Sequence, residues 1–399
     1  MRRNRYVSLG IAALAGLAAV VATALPARAA ALTQVSGFGS NPGALQMFSY
    51  RPDGLGTGAP LVVALHGCVQ SAADYHGHAG WAKYADAWRF VVVYPQQTSA
   101  NNANSCFNWF QPGDTSRGQG EALSVKQMVD YAVTNYGVDP RRVYVTGLSA
   151  GGAMSAAMLA TYPDVFAAGS IVAGIPYRCA TDLTSGLTCQ NSAQNRTAQQ
   201  WGDLVRGANP GYAGPWPRVS IWYGSADSIV NPANATEART QWVNVLGLST
   251  TPTSSTTLPG GTTLESYGLG VKLYRVAGIG HGTPVDPGSA IEACGTTGTY
   301  YLDAICSAYH DATAFGLNPG GTPPPPSPTP SPTPSPTPPG GACFTASNWD
   351  HVAAGRAHQQ LGYVYANGSN QFMGLWNVFT RHTLRQTGVN AYVIADGQC

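Results

Sequence analysis

The chain has 399 residues, of which only 21 are Lys or Arg and 19 Asp or Glu, a charged share of 10% against the roughly 25% of ordinary globular proteins. That scarcity argues against a coiled coil, a charged disordered chain or a nucleic-acid binder, because there is no basic field to meet phosphates. Polarity comes instead from Ser, Thr, Asn, Gln and 48 glycines, which suits contact with an uncharged partner.

The chain opens on Arg2, Arg3 and Arg5, an apolar run from Leu9 to Leu25, then Pro26 and the small-residue site Ala27-Arg28-Ala29. This order predicts a cleaved secretory signal over 1–29 rather than a membrane anchor, and hence a secreted, extracellular protein with no membrane association after cleavage. Loss of the leader arginines, Arg28 included, turns the nominal charge of +2 into −2.

Residues 30–318 have the size of one α/β domain. Leu61–Leu65, Phe90–Tyr94, Val143–Thr146 and Val219–Tyr223 are short, continuous apolar runs, the pattern of strands buried on both faces in a parallel sheet. Between them, 72–88, 121–136 and 150–162 place apolar residues at three- and four-residue spacing. Strands alternating with helices predict a mostly parallel, doubly wound sheet. Residues 319–342 form a Pro/Thr/Ser-rich linker that holds 12 of the 29 prolines. Its expected form is an extended polyproline-II tether on the order of 60 Å long. The remaining module, 343–399, is small enough to need a covalent staple.

Eight cysteines lie beyond the leader, an even number that in an oxidising compartment implies four disulfides. Local pairing joins Cys179 to Cys189, Cys294 to Cys306 and Cys343 to Cys399, which leaves Cys68 for Cys106. No cysteine pair has metal-ligand spacing, and His76 and His78 lack a third ligand nearby, so neither a metal nor a cofactor is expected.

The chemistry centres on Gly147-Leu148-Ser149-Ala150-Gly151, a G-x-S-x-G pattern entered by a strand and left by a small-residue helix. Alone the pattern arises by chance in so glycine-rich a chain; the strand-to-helix context gives it weight, because a sharp turn there lifts the serine hydroxyl above the sheet. A serine hydroxyl needs a general base and a carboxylate to orient that base. In α/β-hydrolases these follow in the order Ser, acid, His. His281, flanked by Gly280 and Gly282, is the candidate base. Asp227, at the carboxyl end of the Val219–Tyr223 strand, is the candidate acid, with Glu265 second; Asp164, Asp182 and Asp203 follow no predicted strand. The backbone N–H groups of Ala150 and Cys68 are the candidate oxyanion donors, and His66 is given a structural role. The loop carrying Asn108 and Trp109 either contacts substrate or forms a buried lid.

Ala64-Leu65-His66-Gly67-Cys68, Ser105-Cys106-Phe107-Asn108-Trp109-Phe110, Arg117-Gly118-Gln119-Gly120-Glu121-Ala122, Gly147-Leu148-Ser149-Ala150-Gly151-Gly152-Ala153-Met154 and Gly280-His281-Gly282-Thr283-Pro284 together resemble secreted short-chain-length polyhydroxyalkanoate depolymerases, over most of residues 40–315. The resemblance implies an α/β-hydrolase fold and an extracellular serine esterase that cuts poly(3-hydroxybutyrate) into oligomers and monomer, with Ser149, Asp227 and His281 as triad. Its implied partner is an insoluble polyester, and a monomer is expected. The alternative is a feruloyl or acetylxylan esterase acting on plant-wall esters. The tail also resembles C-terminal modules of such esterases, and Trp349, Tyr363, Tyr365, Phe372, Trp376 and Phe379 would serve it either as a flat polymer-binding face or as a core.

Overall fold

The computed structural model describes Met1 and residues 30–319, 342–360, 362–388 and 390–397; the expected signal peptide and nearly all of the proline-rich linker lie outside these, as does Cys399. The chain separates into two compact units, 1–329 and 330–399.

In the first unit the strands that build one sheet are β1 (Thr33–Val35), β2 (Gln46–Tyr50), β3 (Leu61–Leu65), β4 (Val91–Gln96), β5 (Val143–Leu148), β6 (Ala168–Val172), β7 (Arg218–Gly224), β8 (Ser254–Leu258), β9 (Thr262–Tyr267) and β10 (Val271–Val276). They lie in the order β1-β2-β4-β3-β5-β6-β7-β10-β9-β8. The six central strands, β4 to β10 in that order, pair in parallel. The flanking strands pair antiparallel. Every residue of β3, β5 and β6 is buried, which is why these segments read as unbroken apolar runs. Helices α1 (Ala72–His78), α2 (Trp81–Trp88), α3 (Pro112–Thr115), α4 (Gly120–Tyr136), α5 (Ala150–Thr161), α6 (Leu183–Asn191), α7 (Ala198–Arg206), α8 (Ala233–Val245) and α9 (Ser307–Phe315) connect and cover the strands. A short parallel pair, β11 (Thr283–Val285) with β12 (Tyr301–Asp303), precedes α9.

The sheet divides the core in two. One face packs Leu61, Val63, Val145, Met158 and Trp242 among others; the other packs Trp81, Tyr84, Tyr144, Trp222 and Phe315. Trp222 stacks on Tyr274 at 3.8 Å between ring centroids, and its indole N–H donates to the buried Asp311 at 2.9 Å. Helix α5 is buried along its whole length, which explains its run of Ala, Gly, Ser and Met: larger residues would have no side on which to project.

One expected helix differs. The 72–88 segment is two helices, broken at Gly80, whose φ of +84° belongs to the left-handed region. A Cβ at Gly80 would lie 2.6 Å from the Cys294 sulfur. The break lets the chain pass close against the Cys294–Cys306 disulfide, a long-range contact that local periodicity does not report. Cys68–Cys106 and Cys179–Cys189 are also bridged, while the expected partner of Cys343 lies outside the described residues.

The second unit holds two three-stranded sheets. One pairs β13 (Cys343–Ser347), β17 (Arg381–Gly388) and β18 (Ala391–Ile394); the other pairs β14 (Ala357–Gln360), β15 (Tyr363–Ala366) and β16 (Phe372–Leu375); α10 (Asn348–Ala353) follows β13. Its core is Ala357, Val364, Ala366, Met373, Leu384 and Tyr392. Trp349, Tyr363, Phe372, Trp376 and Phe379 are all exposed, Phe379 at 86%, so the core reading fails for these five aromatics.

Candidate active site

The site is assembled by strand register. Leu65 of β3 pairs with Gly147 of β5, so the segment from His66 to Cys68 leaves the sheet beside Ser149. Leu148 of β5 pairs with Val172 of β6, and the Ser149 N–H donates to the Val172 carbonyl at 2.9 Å. Gly224 of β7 pairs with Val276 of β10. The loops that follow these two strands are tied together by Ala226 N–H donating to the Ile279 carbonyl at 3.0 Å, which sets Asp227 beside His281.

Ser149 has φ 58° and ψ −117°, a conformation rarely adopted by residues other than glycine. The turn exists because the residues two before and two after the serine, Gly147 and Gly151, lack side chains. A Cβ on Gly147 would lie 2.5 Å from the Gly151 carbonyl carbon, and one on Gly151 would lie 2.5 Å from the His66 carbonyl oxygen. Helix α5 therefore starts directly after the serine and pressed against the end of β3, with its N-terminal N–H groups at the site.

His281 Nδ1–H donates to Asp227 Oδ2 at 2.7 Å. Asp227 Oδ1 accepts from the Ile229 and Val230 N–H groups, each at 2.9 Å, so the carboxylate is held in a fixed orientation. Both side chains are nearly sealed from solvent, His281 at 6% and Asp227 at 1% exposure. With Nδ1 carrying its proton toward the carboxylate, Nε2 is the free, basic end of the ring. Ser149 and His281 border the same pocket of about 270 Å³, together with Gly67, Cys68, Leu148 and Ile229. No hydrogen bond joins Ser149 to His281 among the described residues; such bonds are commonly long before substrate binds.

The alternative acids are engaged elsewhere. Glu265 lies on β9 and accepts from the Tyr267 hydroxyl. Asp164 pairs with Arg117, Asp182 caps α6, and Asp203 pairs with Arg206. His66 is buried, donating from Nδ1 to the Gly67 carbonyl at 2.7 Å and accepting the Gln97 N–H at Nε2. Burial pushes its imidazole down to about 4, which keeps it neutral and structural. His76 and His78 are apart in role: His76 packs against Tyr50 and Tyr94, and His78 stacks on Tyr301.

Cys68 lies in the pocket wall and Ala150 is the first residue of α5. Asn108 and Trp109, expected as possible substrate contacts, are not in that wall. Asn108 is buried at 4%, its amide nitrogen donating to Glu121 and its oxygen accepting from Asn102. Trp109 packs edge-on against Phe110 within the cluster around the Cys179–Cys189 bridge. The polar groups of Asn108 are fully committed behind the site, so the lid reading fits these two better. Sequence reasoning missed Gln70, Gln190, Ile229 and Tyr300, which do border the pocket; nothing in the local pattern of these residues marks them.

Glu121 is the hub of that hidden layer. Its carboxyl is completely buried and accepts from the Asn108 N–H and amide, the Gln97 amide and the Asn101 amide. Gln97 in turn donates to the Cys106 carbonyl and to His66, so Glu121 is linked to both ends of the Cys68–Cys106 bridge. Burial and the nearby Asp114 push the Glu121 carboxyl up to about 8. The hydrogen bonds from Asn108 and Gln97 pull the other way, toward the carboxylate.

Residues 45–265 match the family model described as esterase PHB depolymerase. The chain belongs to this family. It is 53% identical over 293 residues to poly(3-hydroxyalkanoate) depolymerase C of Paucimonas lemoignei, covering 72% of this chain and 70% of that one. It is 38% identical over 291 residues to feruloyl esterase B of Talaromyces funiculosus, covering 70% and 82%. Among solved structures, the acetyl xylan esterase of Aspergillus awamori superposes with a TM-score of 0.59 at 29% identity, covering 63% of this chain and 94% of that one. These relatives make the protein an α/β-hydrolase-fold member of an esterase family, and its described residues contain no helix long and apolar enough to cross a membrane.

Glu121→Gln is expected to destabilise the first unit by roughly 1–3 kcal/mol, because its amide N–H₂ must face groups that are themselves donors. Thermal unfolding of the variant against the parent checks this; an unchanged midpoint would show that the buried carboxyl is not held by these donors.

Proposed function

We propose that the protein is a secreted serine esterase that hydrolyses poly(3-hydroxybutyrate) and related short-chain polyhydroxyalkanoates to oligomers and monomer through an acyl-enzyme. The observation that carries this reading is His281, hydrogen-bonded to Asp227 and bordering one pocket with Ser149, in a chain 53% identical to a protein named as a poly(3-hydroxyalkanoate) depolymerase.

In this reading the Ser149 hydroxyl attacks the ester carbonyl as His281 Nε2 takes its proton. Asp227 stabilises the imidazolium that results and keeps the ring in the tautomer that exposes Nε2. The negative charge that builds on the carbonyl oxygen is met by the N–H groups of Cys68 and Ala150, each worth on the order of 3 kcal/mol in the transition state. The imidazolium then gives its proton to the departing alkoxide, leaving Ser149 acylated. Water, deprotonated by the same His281, attacks the acyl-serine; the acid leaves and the serine recovers its proton. The Cys68–Cys106 bridge and the Glu121 network hold the Cys68 donor in place, so that it need not be reorganised as charge develops.

The 38% identity to a feruloyl esterase and the likeness to an acetyl xylan esterase support a second reading, in which the same triad acts on plant-wall esters. The polyester reading is preferred because of the higher identity and the exposed aromatics of the second unit. Those aromatics, tethered by the linker, are proposed to adsorb on the solid polymer. The disulfides fit export to an oxidising compartment.

Purified mature protein is expected to clear a suspension of poly(3-hydroxybutyrate) granules, and Ser149→Ala to slow the clearing by roughly 10⁶-fold. Failure to clear granules by a protein that still cleaves ferulate or acetyl esters would select the plant-wall reading. Adsorption to granules, read by depletion from the supernatant, is expected to fall about tenfold in Trp376→Ala/Phe379→Ala, on the basis that exposed aromatics dominate apolar contact. Undiminished adsorption would remove the second unit from the account of polymer binding.

A further inference from the structure

The pocket at Ser149 is not isolated. Beside it lies a second cavity of about 430 Å³, with His78, Thr299 and Tyr301 in its wall, and it shares Val69, Gln70 and Tyr300 with the first. Those three residues form a ridge between the two spaces, and the ridge is built at a conformational cost. Val69 has φ +56° and Tyr300 has φ +68°, both in the left-handed region, which for a β-branched or aromatic residue is a genuine outlier. Packing does not account for Val69, which is 67% exposed. Hydrogen bonds hold the strain in place: the Val69 N–H donates to the Asn104 carbonyl at 2.8 Å, and the Tyr300 carbonyl accepts the Thr283 N–H at 2.8 Å. Strain held in this way collects where a site must present a particular surface.

Gln70 gives the ridge its chemistry. Its Oε1 accepts the Gly67 N–H at 2.7 Å, which fixes the amide so that Nε2 is the free end; Nε2 has no partner among the described residues. An oriented N–H donor thus stands between the two cavities. The far wall is rigid and flat: His78 Nδ1–H donates to the Asp74 carbonyl at 2.9 Å, and the ring stacks on Tyr301 at 4.7 Å with an interplanar angle of 19°.

We propose that the second cavity is a subsite for the neighbouring unit of a chain-like ester substrate, with Gln70 Nε2 donating to that unit's ester carbonyl while Val69 and Tyr300 contact its aliphatic part. An ester repeat offers one strong acceptor and no donor, which matches the one aimed N–H of Gln70; of the other polar groups in the wall, Asp74 Oδ2 is taken by the Ser71 N–H and hydroxyl and His78 Nδ1 by the Asp74 carbonyl, while Thr299 stands at the exposed rim. The subsite makes Gln70 a specificity-determining residue: it selects substrates with a second ester over single esters. This inference rests on Ser149 being an esterase nucleophile and adds to it the length of chain the enzyme reads.

The test compares a soluble 3-hydroxybutyrate trimer with p-nitrophenyl butyrate, a single ester, using the full mature chain. Gln70→Glu keeps the acceptor that holds the Gly67 N–H and removes the donor; Thr299→Trp fills the second cavity from its exposed rim. Gln70→Glu is expected to lower the trimer-to-single-ester ratio of kcat/KM by about tenfold, the value of one lost hydrogen bond, and Thr299→Trp to lower it by steric exclusion, both mainly through KM for the trimer. Melting temperatures of both variants show whether either has merely lost its fold. A ratio within twofold of the parent in both folded variants would overturn the subsite while leaving the esterase reading intact. A parent protein inert on both esters would overturn the two together.

Discussion

Everything at the site depends on how closely α5 approaches the end of β3. Gly151 sits so near the His66 carbonyl oxygen that a Cβ would come within 2.5 Å of it, and only this contact allows the helix to begin at Ala150 immediately after the strand. The turn that results forces Ser149 to a positive φ and brings the helix N-terminus beside the chain leaving β3. The proposed nucleophile and both proposed oxyanion donors are thus consequences of one backbone contact. The parallel register does the rest, since β7 and β10 are in step at Gly224 and Val276 and release Asp227 and His281 side by side.

A strained turn persists only when its surroundings over-determine it. Here the surroundings are a buried polar layer behind the pocket. Glu121, at the start of α4, gathers the loop from Gln97 to Asn108 through hydrogen bonds, and the Cys68–Cys106 bridge links that loop covalently to the chain leaving β3. His66, kept neutral by burial, spans the Gly67 carbonyl and the Gln97 N–H. Helix α5 is fixed at its other end by Arg117, which donates to the Thr161 carbonyl and pairs with Asp164. A site that stabilises developing charge with fixed dipoles has to be stiff before the substrate arrives, and these contacts supply that stiffness.

The sequence made much of this legible, for reasons that also explain what it hid. Strands β3, β4, β5 and β7 are continuous apolar runs because both faces are buried, so their pattern is strong. The G-x-S-x-G turn is legible because close packing leaves room only for glycine two residues to either side of the serine. Asp227 and His281 could be singled out from loop position and chain order alone. By contrast, the exposed edge strand β8 reads Ser-Ser-Thr-Thr-Leu and β9 beside it Thr-Thr-Leu-Glu-Ser-Tyr, neither with an apolar run. The break at Gly80 is imposed by Cys294, more than 200 residues away. The loop carrying Asn108 reads equally as a substrate contact or a buried lid, because it sits among aromatics near Cys106; only the fold shows that Asn108 donates to Glu121. The aromatics of the second unit were ambiguous in the same way, and their exposure reflects a core already filled by Val364, Met373 and Leu384.

The most direct test of the assembled triad is covalent labelling by a small serine-directed phosphonate, followed by mass spectrometry of the intact and digested protein. The account predicts a single adduct on Ser149, whose formation slows at least a thousandfold in His281→Ala without loss of the folded state. An adduct on another residue, or labelling of Ser149 that is indifferent to His281, would contradict it.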